Sequence, residues 1–172
     1  AKNYQSPTQR PQKDEDPKPW IYWRMFAIDS LSKFLIHTAD VAKQVDPSIE
    51  SLTCLTTDPI KVWNAQHGVS YFDTGAGMDT VGITHYVNSY GAPYFDACLS
   101  LDNAESAAAL YGKHCWLVEY DARTDITLRK FYEETYMAVG AGLKGIMYYQ
   151  WRGDHIFPDS WNLNKEDHWK NC

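Results

Sequence analysis

Two rhythms of apolar positions alternate along this chain. Within WIYWRMFAIDSLSKFLIHTADVAKQVDP, the positions Leu31, Phe34, Leu35, Thr38, Ala39, Ala42 and Val45 recur every three or four residues. That spacing predicts a long amphipathic helix that starts at Trp20 or later, because Pro17 and Pro19 delay it, and ends at Asp46-Pro47. SLTCLTT, Ser51 to Thr57, is short, apolar and β-branched, as a buried strand is. Asp58-Pro59 then predicts a capped helix running through Val62 and Trp63. The cycle repeats, with a second strand over Met78 to Tyr86 and a capping box at Asp102-Asn103-Ala104-Glu105 that opens an alanine-rich helix stopped by Gly112. His114 to Tyr120 reads as a third strand. Asp125 is placed to cap a helix whose apolar face is Leu128, Phe131, Tyr132, Thr135, Val139 and Leu143, and Gly145 to Trp151 reads as a fourth strand.

Strands separated by helices predict an α/β fold with parallel strands and right-handed crossovers. Two closures satisfy that order: an open doubly wound sheet, or part of a (β/α)8 barrel. No G-x-G-x-x-G follows any strand, so the dinucleotide version of the open sheet lacks its phosphate turn. A complete barrel takes about 250 residues, so four strand units here amount to about half of one. Residues 1–19, rich in Pro, Lys, Asp and Gln, read as a linker or arm; residues 20–153 form the half-barrel domain and 154–172 a polar tail. The chain starts at Ala1 rather than Met, which is expected of a processed chain or a piece of a longer one.

Composition narrows the chemistry. With 172 residues, 44% hydrophobic and 22% charged, the chain can build one core. A net charge of -6 gives no basic field for phosphates, so nucleic acid is not an expected partner, and no apolar run is long enough for a membrane helix. The aromatic share is 15%, including 7 Trp and 12 Tyr, an excess that points towards the C–H faces of sugars, with plain core packing the simpler reading for any single ring. Cys54, Cys98, Cys115 and Cys172 are scattered without zinc-site spacing, so no metal is expected and buried thiols are the simpler reading. No cofactor motif occurs.

In parallel α/β folds, functional groups gather at the C-terminal strand ends. Those ends carry Thr56, Thr57 and Asp58; His85, Tyr86 and Asn88; Glu119, Tyr120 and Asp121; and Gln150, Trp151, Arg152 and Asp154. Carboxylates, amides and rings of this kind suit a polyhydroxylated ligand. Glu119, which terminates the apolar run Cys115-Trp116-Leu117-Val118, is the sharpest of them; an ion-paired strand-edge Glu, with Arg123 or Arg152, is the plain structural alternative.

Several segments together resemble glycoside hydrolase family 42, the β-galactosidases. Trp23-Arg24-Met25-Phe26 with Asp29-Ser30-Leu31 and Phe34-Leu35 is similar to the helix after that family's fourth barrel strand. Asp79-Thr80-Val81-Gly82-Ile83 with Tyr86 resembles the sixth strand, Trp116-Leu117-Val118-Glu119 the seventh, and Ala138 to Gly142 with Gly145 to Arg152 the last helix and eighth strand. The resemblance implies a retaining glycosidase with Glu119 as nucleophile. It further implies Tyr86 and Trp151 as apolar walls, and His85, Gln150 and Arg152 as partners of sugar hydroxyls or of Glu119. The family's acid/base Glu, usually preceded by Asn at the fourth strand, has no counterpart here, nor has its cysteine-cluster zinc site. His85 stands where family members tend to carry an acidic or amide residue. The expected partners are therefore a carbohydrate substrate and either a missing N-terminal half of the barrel or another chain, in an oligomer or larger assembly. A non-catalytic, hydrolase-derived carbohydrate-binding or assembly module is the alternative.

Overall fold

The computed structural model describes residues 16–56, 68–86, 94–121 and 127–149. Helix α1, Lys18–Val45, starts two residues before Trp20, because Pro17 occupies the N-cap and Pro19 falls within the first turn, where a missing N–H costs nothing. It ends where Asp46 turns extended, as Asp46-Pro47 predicts, with the Asp46 N–H still donating to the Ala42 carbonyl. The face it buries differs from the one expected. Ser32 and Ala39 are buried and Leu35 packs against the core, whereas Phe34 and Val45 are 64% and 84% exposed. The Ser32 hydroxyl lies 3.1 Å from that of Thr74, on the short helix α2, Tyr71–Gly75, which the apolar rhythm does not announce. Its cap is Ser70, whose side chain accepts from the Asp73 N–H.

Three strands follow, β1 (Thr80–His85), β2 (His114–Asp121) and β3 (Gly145–Tyr149), separated by α3 (Tyr94–Leu110) and α4 (Leu128–Gly140). Both strand pairings are parallel and the order is β1-β2-β3. The segment expected to be the first strand lies beside β1, also parallel, but makes only two isolated bridges, Leu52 with Thr80 and Leu55 with Ile83. Thr53 is the cause. Its hydroxyl accepts from the Gly82 N–H at 2.6 Å, in place of the Thr53 carbonyl of a regular ladder, and donates to the Gly82 carbonyl at 3.0 Å beside the Leu55 N–H.

Two helix boundaries need correction. Helix α3 begins at Tyr94, so Asp102-Asn103-Ala104-Glu105 is mid-helix rather than a cap; the alanines that follow are simply its continuation. The cap of α4 is Thr127, whose hydroxyl accepts from the Lys130 N–H at 3.3 Å. Phe131, Glu134 and Ala138 are the α4 residues turned inward, while Tyr132 and Val139 of the expected face are 44% and 55% exposed. Helices α3 and α4 stop by the same device. Gly112 and Gly142 adopt φ of +64° and +92°, and the next N–H reaches back to Ala108 and Ala138 respectively. The helix expected from Asp58 to Trp63, Asp125, the arm up to residue 15 and the tail lie outside the described residues.

A sequential strand order with crossovers of one hand places the connecting helices on the same side of the sheet. The core agrees. Val81, Ile83, Cys115, Leu117 and Tyr120 cluster with Leu101, Ala104, Ala107 and Ala108 of α3 and with Phe131 and Ala138 of α4. Strand residues of opposite parity point to the other face, where Thr80 and Thr84 of β1 are buried while Leu52 and Met147 at the flanks stay 39% and 46% exposed among the described residues. Among the described residues the sheet therefore has one helix-covered face and one open face whose exposed side chains lie at its flanks rather than along β1.

Candidate functional site

Strict alternation along β2 would put Leu117 and Tyr120, three residues apart, on opposite faces. Both are fully buried in the helix-side cluster. The register explains it. Ile83 pairs with Leu117, yet the next residue, Thr84, pairs with Glu119, and the β3 side shows the same irregularity between Leu117 and Tyr120. One extra residue is thus accommodated, a bulge that leaves Val118 and Glu119 both free of the helix side. Glu119, half-buried, meets Cys54 on the open face: the thiol donates to Oε2 over 3.8 Å. Cys54 lies there because Thr53 and Leu55, its neighbours, are buried against β1. Burial and the charge of Glu119 both hold the Cys54 thiol above its ordinary range, so it is a protonated donor at neutral pH.

His85 goes the other way. It pairs with Tyr120, shares the parity of Val81 and Ile83, and is fully buried, so it lies on the helix-covered side and does not join Glu119. Burial lowers its imidazole pKa to about 4, which keeps it neutral at physiological pH. Among the described residues neither ring nitrogen has a hydrogen-bond partner. Tyr86, the next residue, is half-buried at the same strand end. Gln150, Trp151 and Arg152 lie outside the described residues.

Beneath these strand ends an aromatic wedge fixes β2, β3 and α4 together. The Tyr120 ring meets Phe131 and Tyr148 edge-on at 5.5 and 5.3 Å between centroids, and Phe131 stacks on Tyr148 at 5.5 Å. The Tyr120 hydroxyl donates to the Phe131 carbonyl at 3.2 Å. Burial above all, and then the neighbouring Glu134 carboxylate, pushes this phenol well above the ordinary tyrosine range. Glu134 is itself fully buried, a carboxylate on the helix side that the apolar pattern does not reveal.

Polar contacts at the opposite end of the sheet have a different character. Asp79 accepts from Lys43 Nζ at 2.6 Å and from the backbone N–H and hydroxyl of Ser51, each at 2.7 Å. These contacts join α1, the 51–56 segment and β1 at the N-terminal strand ends. Of the cysteines, Cys115 is buried, as expected, but Cys54 and Cys98 are exposed. The missed residue, Cys54, had a signal in SLTCLTT, whose alternation sets it opposite Thr53 and Leu55. Among the described residues no three metal-ligating side chains converge, and no helix is long and apolar enough to cross a membrane. No protein-family model matches this chain, and no curated protein matches it in sequence.

Proposed function

We propose that this chain is the second half of a retaining glycoside-hydrolase barrel resembling family 42, acting on β-galactosides or related sugars. One observation carries the reading: a carboxylate, Glu119, stands at the C-terminal end of a central strand and on the open face of a parallel sheet. Sequential strand order with helices on one side is what a barrel arc requires, an order that one half of a doubly wound sheet shares. In this reading the open face is the barrel lumen, and the apolar side chains of Leu52 and Met147 are lumen residues.

The mechanism has two steps. The Glu119 carboxylate attacks the anomeric carbon, and the bond to the aglycone oxygen breaks while an acid/base Glu from the other half protonates that oxygen. Water then attacks the glycosyl ester from the same side with the acid/base Glu as base, so configuration is retained; the two carboxyls stand about 5–5.5 Å apart. Tyr86 and Trp151 wall the sugar, Gln150 and Arg152 bind its hydroxyls, and His85 backs the strand end from the helix side. The open face is closed by the missing half or another chain, and sedimentation of the 172-residue chain as a compact monomer at high concentration would count against that closure.

An activated substrate tests the nucleophile without the missing acid. 2,4-Dinitrophenyl 2-deoxy-2-fluoro-β-galactoside has a leaving group that departs as the phenolate without protonation, so attack by Glu119 alone forms the C–O ester and releases dinitrophenolate. Peptide mapping by mass spectrometry is expected to find the fluorogalactosyl group on Glu119 and to find none in Glu119→Gln. Labelling elsewhere, or none in the wild-type chain, would refute the assignment. The second reading, an assembly module, draws on the outward apolar flank of α1, where Phe26, Phe34 and Val45 are 57%, 64% and 84% exposed. That reading expects no label.

A further inference from the structure

Glu119 is half-buried and sits on a bulge, so its long side chain needs something to fix it. The one hydrogen bond that reaches its carboxylate among the described residues comes from Cys54, at 3.8 Å. Backbone on both sides of Cys54 is pinned to β1. Before it, Thr53 N–H donates to the Thr80 carbonyl and the Thr53 hydroxyl brackets Gly82; after it, Leu55 N–H donates to the Gly82 carbonyl at 3.0 Å and Leu55 accepts from Thr84 N–H at 2.7 Å. Gly82 permits the approach, since a Cβ there would stand 1.9 Å from the Thr53 carbonyl oxygen. The thiol is therefore delivered to the carboxylate by fixed backbone rather than by a flexible arm.

We propose that Cys54 is a positioning residue for Glu119, holding Oε2 so that the other oxygen is presented to the lumen; this rests on the glycosidase reading above. The chemistry of the donor suits the task. An arginine or lysine at this place would stabilise the carboxylate charge strongly and blunt its attack, whereas a thiol is a weak donor that orients the group while leaving its electron density available. The thiol stays protonated because burial and the adjacent charge both oppose its ionisation.

Two measurements test the pairing and the role separately. The pH dependence of iodoacetamide alkylation at Cys54, read by peptide mass spectrometry, is expected to shift down by about 0.7 pH unit or more in Glu119→Gln, the effect of removing one charge at this distance even at solvent dielectric. An unmoved profile overturns the pairing. Trapping by the dinitrophenyl fluorogalactoside is expected to slow about tenfold in Cys54→Ala, the rate equivalent of one modest hydrogen bond, and to return to within about threefold of wild type in Cys54→Ser, with unchanged urea midpoints. Equal trapping rates in wild type and Cys54→Ala overturn the positioning role, as does a Cys54→Ser variant that is slowed as much as Cys54→Ala. A shifted alkylation profile with no trapping in the wild-type chain overturns the glycosidase reading and the role with it, while the thiol–carboxylate contact stands.

Discussion

Gly82→Ala tests how tightly the 51–56 segment is clamped to β1. The added methyl carbon would stand 1.9 Å from the Thr53 carbonyl oxygen and 2.8 Å from Val118 Cγ1, against about 3.5 Å or more for comfortable carbon contacts. The first obstacle is backbone and cannot rotate away, so the two chains must part by more than an ångström. Parting breaks the Leu55 N–H to Gly82 carbonyl bond and both bonds between the Thr53 hydroxyl and Gly82. Three bonds at about 0.5–1.5 kcal/mol each, with an overpacking cost of about 1–3 kcal/mol, give a loss of about 2.5–7.5 kcal/mol, at or beyond the upper end for single substitutions. Gly140→Ala is the control. A Cβ there meets nothing within 4 Å, and removing a helical glycine stabilises by about 0.5 kcal/mol. Urea unfolding followed by circular dichroism, with midpoints compared at constant slope, measures both. A loss below about 1 kcal/mol in Gly82→Ala would show that the segment is not held against β1 as described.

Further outcomes follow from the titrating groups. Hydrogen bonds from Lys43 and Ser51 hold the Asp79 carboxyl far below the ordinary range, so its stabilisation is full above the unfolded value near 3.9 and disappears as pH falls towards the folded one. Asp79→Asn is expected to cost about 1 kcal/mol at pH 7, discounted for a side chain open to water, and less at pH 3; an equal cost at both would refute the pairing. Burial holds His85 neutral down to about pH 4, while the unfolded imidazole protonates near 6.5, so stability should fall by about 2 kcal/mol between pH 7 and 5. That slope should vanish in His85→Phe, and a slope that persists there would assign it to another group. Cys115, 2% exposed with its thiol pushed up to about 12 by burial, should resist alkylation in the native chain while Cys98 reacts; equal labelling would contradict its place in the core.

Much of this fold is legible because most strands and turns declare themselves locally. The apolar runs at Thr80 to His85, His114 to Tyr120 and Gly145 to Tyr149 are bounded by turn chemistry, and Gly112 is readable as a helix stop. Other features depend on partners distant in sequence. Which face of α1 is buried is decided by Thr74 and Gly77, against which Ser32 and Ile36 pack, so Phe34 is left outside despite its favourable spacing. Asp102 has the chemistry of a cap but sits inside α3, because the eight residues before it are already helical. Glu119 is visible as a carboxylate ending an apolar run. Its contact with Cys54 is not, since their meeting needs a bulge at Val118 that only the pairing with β1 and β3 reveals.

The sheet divides its work between its two ends. At the N-terminal ends, Asp79, Lys43 and Ser51 join three segments by charged hydrogen bonds, and the glycine turns at Gly112 and Gly142 return each helix to a strand. Towards the C-terminal ends the geometry is less regular, with a bulge at Val118 and a buried neutral imidazole at His85. Irregularities of this kind cost stability, and the aromatic wedge of Tyr120, Phe131 and Tyr148 lies directly beneath them to offset that cost. The bulge turns Glu119 onto the open face beside Cys54, which a regular β2 ladder would not do. In a parallel α/β sheet that end is where loops gather and ligands bind, so the costly geometry lies where the proposed site stands.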